Sequence, residues 1–268
     1  MSAAIAISLR ALACSEAAAR ALDGRVATVA ALHRRGFSVA VPGGEPIFVG
    51  PPGAGLLPLH VVVRRDSFET LQRRLGTGAR LRWDLSAARR WQLGLRCRHG
   101  LPGLDAGVAR VADWLRSQPP ANGFGDTQAQ VLAADGRLRQ ALQAAADGPT
   151  APTLLQLIGR GAGSTPAGDD ALIGALAHGW LVDGADSPLR RALLPWREAL
   201  GALTTPLGAG YLRRAIDGVF GSHLIQLCRA LPAAGERLDT RARRVACHGA
   251  SSGIDTLLGF VAAHELRR

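Results

Sequence analysis

The 268-residue chain contains no lysine, so all 32 of its basic side chains are arginine. That absence removes three chemistries at once. A phosphate-loop lysine, a Schiff-base lysine for a pyridoxal cofactor and a lysine general base each need an ε-amine. Cysteine is also scarce: Cys14, Cys97, Cys228 and Cys247 stand far apart with no Cys-x-x-Cys. Neither a zinc site nor a redox pair is signalled, and no pyridoxal phosphate, zinc or haem is expected. Aromatic residues make up only 4%, which leaves few platforms for stacking bases. No apolar run is long enough to span a bilayer. The stretch Ala3-Ala4-Ile5-Ala6-Ile7-Ser8-Leu9 is short, has no preceding positive charge and is interrupted by Arg10, which makes it a poor signal peptide. A cytoplasmic location and no membrane partner are the expectations.

What is present is ordinary for a soluble globular protein: 47% hydrophobic and 20% charged residues, enough for one large domain or two small ones. A net charge of +11 and a pI near 11.3 invite a nucleic-acid reading. The distribution argues against it. The first hundred residues carry about fifteen arginines against about six acids, but as scattered pairs such as Arg34-Arg35, Arg64-Arg65, Arg73-Arg74 and Arg89-Arg90, not as a tail or stripe. A base-rich genome accounts for such a composition, with anionic substrates or acidic partner subunits as the functional alternative.

The first third reads as mainly strand. Residues 37–41, 46–49 and 59–63 are short apolar or β-branched runs separated by Pro42-Gly43-Gly44 and Gly50-Pro51-Pro52-Gly53. Residues 81–84 and 91–95 are further strand candidates, and a short helix is expected near Phe68 to Leu75. This spacing suggests a small barrel or sandwich. From Leu104 the periodicity turns helical: Val108, Val111, Ala112 and Leu115 form one stripe, and 128–145 is rich in Ala, Leu and Gln. Between them, 117–123 is the best linker candidate. Helices are expected from Asp170, near 189–203, near 210–231 and over 254–266. The fold class is therefore α+β, a β-rich barrel or sandwich-like domain over 1–103 followed by an all-helical domain over 104–268.

The most informative stretch is Gly159-Arg160-Gly161-Ala162-Gly163-Ser164-Thr165-Pro166-Ala167-Gly168-Asp169-Asp170. Thr165-Pro166 reads as N-cap and first helical position, ahead of an apolar helix. A glycine-rich loop feeding a helix N-terminus makes an anion site. The N–H groups of Gly161, Gly163 and Gly168 and the hydroxyls of Ser164 and Thr165 are the candidate binding groups. Asp169 and Asp170 are candidate catalytic carboxylates, able to accept a proton or to hold Mg²⁺. The bland alternative is a glycine C-cap, a turn and a well-capped helix.

Cys247-His248-Gly249-Ala250-Ser251-Ser252-Gly253-Ile254-Asp255-Thr256 repeats the grammar. Ser251, Ser252 and Gly253 are candidate binding residues and Asp255 a candidate catalytic one, with simple capping as the alternative. Two such helix starts can face each other across one pocket. Thr204-Thr205-Pro206 is a weaker candidate: Thr205 either caps the next helix or touches a ligand.

Together, 161–170 and 251–259 resemble the two hallmark segments of the family that includes the AllH subunit of oxamate carbamoyltransferase, much of it known only as a domain of unknown function. The resemblance is strong over these segments, fair across 150–268 and loose before that. The first motif in that family usually reads Leu-Thr-Pro-Ser-Gly-Asp-Asp. Here Ser164 replaces the leucine and Ala167 the serine, removing one hydroxyl. The second usually has Gly-His before the Ser-Ser-Gly step, and here Gly249-Ala250 stands there with His248 shifted. The resemblance implies a transferase subunit working with two others in allantoin-derived purine nitrogen metabolism. In that setting carbamoyl is exchanged between phosphate and the amide nitrogen of oxamate, giving oxalurate from carbamoyl phosphate. Two other expectations stand beside it: a non-catalytic assembly or regulatory subunit, and a stand-alone metal-dependent hydrolase using the Asp169/Asp170 pair.

Overall fold

The computed structural model describes residues 7–33, 35–53, 55–119, 121–145, 152–235 and 237–268. Residues 3–6 of the poor signal peptide, Arg34 and Pro120 of the linker candidate lie outside the described residues. The chain forms two compact units, Met1–Leu93 and Gly94–Arg268.

The first unit holds eight strands: β1 (Ile7–Arg10), β2 (Ala13–Ser15), β3 (Val26–His33), β4 (Gly36–Ala40), β5 (Ile47–Gly50), β6 (His60–Val62), β7 (Arg80–Asp84) and β8 (Arg89–Trp91). Two helices, α1 (Glu16–Leu22) and α2 (Arg65–Arg74), complete it. The strands form one mixed sheet in the order β1-β7-β3-β4-β5-β6-β2-β8. β1 is one edge and β2 lies next to the other, yet only Ala11 and Leu12 join them. The sheet must therefore curl until its two ends approach. Three bonds hold that joint: Ala11 N–H donates to the Asp84 carbonyl at 3.3 Å, Leu12 N–H to the Val62 carbonyl at 2.8 Å, and the Leu12 carbonyl accepts the Arg89 N–H at 3.1 Å.

Strand alternation turns the arginines of β7 outward. In β7, Leu81 and Trp83 face the core while Arg80 and Arg82 face outward. The core collects Leu22, Val29, Phe37, Val39, Val49, Val61, Phe68, Leu71 and Trp83. The barrel-like expectation and the strands around 37–41, 46–49, 59–63 and 81–84 agree with this sheet. β1, β2, β3 and α1 are additions to the sequence reading, with alanines diluting the apolar signal across 13–31, and the strand expected over 91–95 is displaced, since β8 ends at Trp91.

The second unit is helical: α3 (Leu104–Arg116), α4 (Gln128–Val131), α5 (Arg137–Ala144), α6 (Pro152–Leu155), α7 (Ala167–Val182), α8 (Pro188–Leu193), α9 (Leu200–Leu203), α10 (Pro206–Ile216), α11 (Ser222–Ala230), α12 (Arg237–Ala246) and α13 (Ser252–Glu265). The Val108, Val111, Ala112 and Leu115 stripe is buried as expected. The longer helices read from the sequence are broken. Residues 128–145 are split at a turn closed by Gly136, and 189–203 at a 3-10 turn around Pro195. Residues 210–231 are split at Gly218, which takes φ +80° against the Trp180 ring. α12 carries so much arginine that its apolar positions, Leu238, Ala242 and Val245, give little signal.

α7 and α13 are buried on nearly every side and pack against each other at the centre of this unit. Small residues set their separation. A Cβ on Gly174 of α7 would overlap the Thr256 carbonyl of α13, and a Cβ on Gly259 would overlap the Ala171 carbonyl of α7. The reciprocal glycines let the backbones touch. The Thr165 and Ser252 hydroxyls, 2.9 Å apart, place the two helix starts side by side.

Candidate functional site

Three carboxylates lie buried where the helix starts meet. Asp169, in the first turn of α7, is fully buried with both oxygens engaged. Oδ1 accepts the Gly159 N–H at 2.8 Å, and Oδ2 accepts the Thr204 hydroxyl from the segment leading into α10. Gly208 in α10 leaves the room, since a Cβ there would overlap Asp169 Oδ2. Burial raises the Asp169 pKa above the usual carboxylate value, while the Thr204 hydroxyl and Gly159 N–H oppose the rise.

Asp170, one residue on, is rotated to a different set of neighbours. It is 5% exposed, and its Oδ2 is buried without a hydrogen-bond partner. Burial pushes its pKa well above the carboxylate range. The Ser252 hydroxyl opposes that, the nearby Asp255 charge adds to it, and Thr165 and Asp169 contribute less. Burial thus favours the protonated form of Asp170 relative to an ordinary carboxylate. Thr165 Oγ1 lies 2.9 Å from Ser252 Oγ, which ties the segment leading into α7 directly to the start of α13.

Asp255, in the first turn of α13, is fully buried and accepts the Gly123 N–H at 2.9 Å on Oδ1 and 3.2 Å on Oδ2. Burial raises its pKa to about 6, against opposition from that N–H and the Ser251 hydroxyl. Tyr211 of α10, the chain's single tyrosine, stands close enough to Asp170 that its phenol, already raised by burial, is raised further by that carboxylate.

The two helix starts read from the sequence as partners are together. The details differ from the expectation. Pro166, not Thr165, is the α7 N-cap, and the Thr165 hydroxyl is turned to Ser252 instead of to its own helix. Gly168 N–H is occupied by the Arg160 carbonyl at 2.8 Å, and Gly253 N–H by the His248 carbonyl at 3.0 Å. A Cβ on either would overlap a backbone oxygen, of Leu157 and Val245 respectively, so close packing is the role of both. Gly161 and Gly163 take φ +112° and +93° in the exposed loop with Ser164. Ser251 is the α13 N-cap without a side-chain capping bond. Thr205 caps α10, accepting the Gly208 N–H at 3.0 Å, and its hydroxyl donates to the Ser164 carbonyl at 2.6 Å.

Asp169 and Asp170 point to different partners. Among the described residues no cluster of three or more His, Cys, Asp or Glu is placed to hold a metal ion. Gly123, in the segment read as a linker, holds Asp255. Its neighbours shape the turn: the Phe124 N–H donates to Asn122 Oδ1 at 3.0 Å. The Asn-Gly-Phe-Gly run is the available signal. Thr204, Gly208 and Tyr211 have none beyond the Thr-Thr-Pro cap.

Residues 157–264 match the family model for oxamate carbamoyltransferase subunit AllH. The chain's likeness to the AllH family thus takes in α7 to α13, both motifs and all three carboxylates. Gly123 lies outside the matched stretch. No solved structure matches the chain.

Proposed function

We propose that this chain is a subunit of a carbamoyltransferase complex of the oxamate carbamoyltransferase kind, and that the α7–α13 junction binds its carbamoyl-bearing substrate. The observation that carries the reading is the buried Asp170 Oδ2, left without a partner between two helix starts that match the AllH family. A buried unsatisfied oxygen costs about 1–3 kcal/mol, and a substrate group that satisfies it recovers that cost on binding.

The chemistry suits two carboxyl groups whose different surroundings shift their pKa values to different extents. When an amide nitrogen attacks the carbamoyl carbon, a C–N bond forms and the C–O bond to phosphate breaks. Phosphate leaves with the electron pair, and the nitrogen gives up a proton. Asp255, with its pKa near 6, is mostly ionised at pH 7 and takes that proton. Asp170, whose protonated form burial favours, donates a hydrogen bond to the carbamoyl oxygen in that form. Over them, the exposed loop of Gly161, Gly163 and Ser164, with Thr165 and the Arg160 guanidinium, receives phosphate or carboxylate oxygens. Ser251 and Ser252 line the opposite side.

Calorimetric titration of the purified chain with carbamoyl phosphate, oxamate and phosphate tests binding. Asp170→Ala should weaken it about tenfold. Absence of binding, alone and with companion subunits, refutes the reading. An assembly role draws support from Gly168 and Gly253, whose N–H groups serve only the fold. The two separate on Asp255→Asn in a reconstituted complex, where a base predicts about a hundredfold loss of kcat or more and an assembly role predicts near-normal turnover.

A further inference from the structure

Tyr211 is the chain's single tyrosine, and it sits on the face of α10 that runs along α7. Gly208, Tyr211 and Ala215 fall at i, i+3 and i+7, one stripe of a helix. Both ends of that stripe touch α7. A Cβ on Gly208 would overlap Asp169 Oδ2 in the first turn of α7, and the Ala215 carbonyl accepts the Trp180 indole N–H at 3.0 Å near its end. Long helical side chains lean back toward the N-terminus of their own helix, which carries the Tyr211 ring over Gly208 toward Asp169 and Asp170. The start of α10 is fixed there by two hydroxyls, Thr204 on Asp169 and Thr205 on the Ser164 carbonyl. Burial, and after it the Asp170 charge, raise the phenol pKa, which agrees with a ring beside that carboxyl.

Two polar groups thus stand near each other without satisfying one another. Asp170 Oδ2 is buried with no hydrogen-bond partner, and the half-buried Tyr211 makes no hydrogen bond among the described residues. Buried carboxyl oxygens and packed tyrosine hydroxyls ordinarily find partners, and one oxygen that accepts from both would satisfy them together. We propose, on the carbamoyltransferase reading of this site, that Tyr211 is a catalytic hydrogen-bond donor which, with protonated Asp170, forms a two-donor pocket for the carbamoyl oxygen. As the amide nitrogen attacks, the carbonyl electron pair moves onto that oxygen. The phenol O–H and the carboxyl O–H hold it without giving up their protons. The pair returns as the C–O bond to phosphate breaks, so neither donor is consumed.

A single tyrosine lets growth on 3-fluorotyrosine place fluorine at Tyr211 alone. In the full chain, saturating carbamoyl phosphate should move that fluorine resonance, and inorganic phosphate, which brings no carbamoyl oxygen, should move it much less. An unmoved resonance where calorimetry shows carbamoyl phosphate bound, or equal shifts from both ligands, would overturn the role of Tyr211 and leave the substrate reading standing. Absence of calorimetric binding, alone and with companion subunits, would overturn both. In the reconstituted complex, Tyr211→Phe keeps the ring and removes only the hydroxyl. It should lower kcat about a hundredfold while KM for carbamoyl phosphate changes less than about threefold. Turnover within about twofold of the parent, with Asp255→Asn strongly impaired, would overturn the donor alone, as would a raised KM at unchanged kcat. Normal turnover of both variants would remove the carboxylate chemistry along with it.

Discussion

Replacing Gly174 with alanine puts a methyl group into the α7–α13 contact, where the added Cβ would sit more than about 1 Å inside the 3.0 Å that real Cβ atoms keep from their neighbours. Its neighbour there is the Thr256 carbonyl, fixed within a helix and unable to swing aside. The helices must separate by about 1 Å or the substitution must be absorbed as strain. Alanine for glycine in a helix interior gains about 1 kcal/mol by propensity. Overpacking a rigid contact costs about 1–3 kcal/mol and occasionally more. The backbone neighbour places this case at the upper end, for a net loss of about 2 kcal/mol. Gly259→Ala meets the Ala171 carbonyl in the same way and should cost a similar amount. Because one separation relieves both overlaps, the double variant should lose less than the sum of the two, by about 1 kcal/mol. Urea unfolding followed by circular dichroism at 222 nm reads this, since most helix lies in the second unit. A Gly174→Ala protein within about 0.5 kcal/mol of the parent, or strict additivity, would refute the close-contact argument.

Asp255 has a folded pKa raised from 3.8 to about 6, so the folded state binds the proton more tightly. Its contribution is full below about pH 4 and is lost as pH rises through 6, amounting to about 3 kcal/mol. The stability difference between the parent and Asp255→Asn, measured from pH 4 to pH 7, should move against the parent by that order, and a flat difference would contradict it. Asp169→Ala removes two acceptors and strands the Gly159 N–H and the Thr204 hydroxyl, so a loss of about 2–3 kcal/mol in urea midpoint analysis is expected. Thr204→Val should cost about 1 kcal/mol, and equal effects of the two would mean that Asp169 is held mainly by other contacts. Arg110→Ala should lower stability by no more than about 1 kcal/mol, because the Arg110–Asp239 pair is about 40% exposed. A loss beyond about 2 kcal/mol in the same urea assay would mark that pair as structural.

The helical half is legible where charge punctuates the apolar pattern. The α3 stripe stands out because Arg110, Asp113 and Arg116 interrupt it. α7 and α13 announce themselves by capping grammar alone, since helices buried on all sides carry no amphipathic period. Conversely, the breaks inside 189–203 and 210–231 escape a local reading because Pro195 and Gly218 are single residues in otherwise helical surroundings. In the sheet, β3 hides behind alanines, and the closing of β1 and β2 onto opposite ends is a long-range fact that no local pattern encodes. At the site, the pairing of the two motifs follows from their matched composition. The hold of Gly123 on Asp255, 132 residues away, does not, because a backbone N–H leaves no mark in the sequence.

The glycines and the carboxylates are two aspects of one arrangement. Gly174 and Gly259 bring the helices close enough to exclude water from Asp170, and the excluded water is the main cause of its raised pKa. The same approach brings Asp255 within reach of Asp170, adding like-charge repulsion that favours keeping a proton on the pair. Thr165 and Ser252, 2.9 Å apart, mark how closely the two helix starts must register. Separating the helices by about 1 Å would break that hydroxyl contact, admit water and lower the Asp170 pKa toward its ordinary value. Gly174→Ala should therefore alter protonation at the site as well as stability, while Gly→Ala substitution at the exposed Gly163 should alter neither through this contact. Helix packing and carboxyl chemistry in this unit cannot be varied independently.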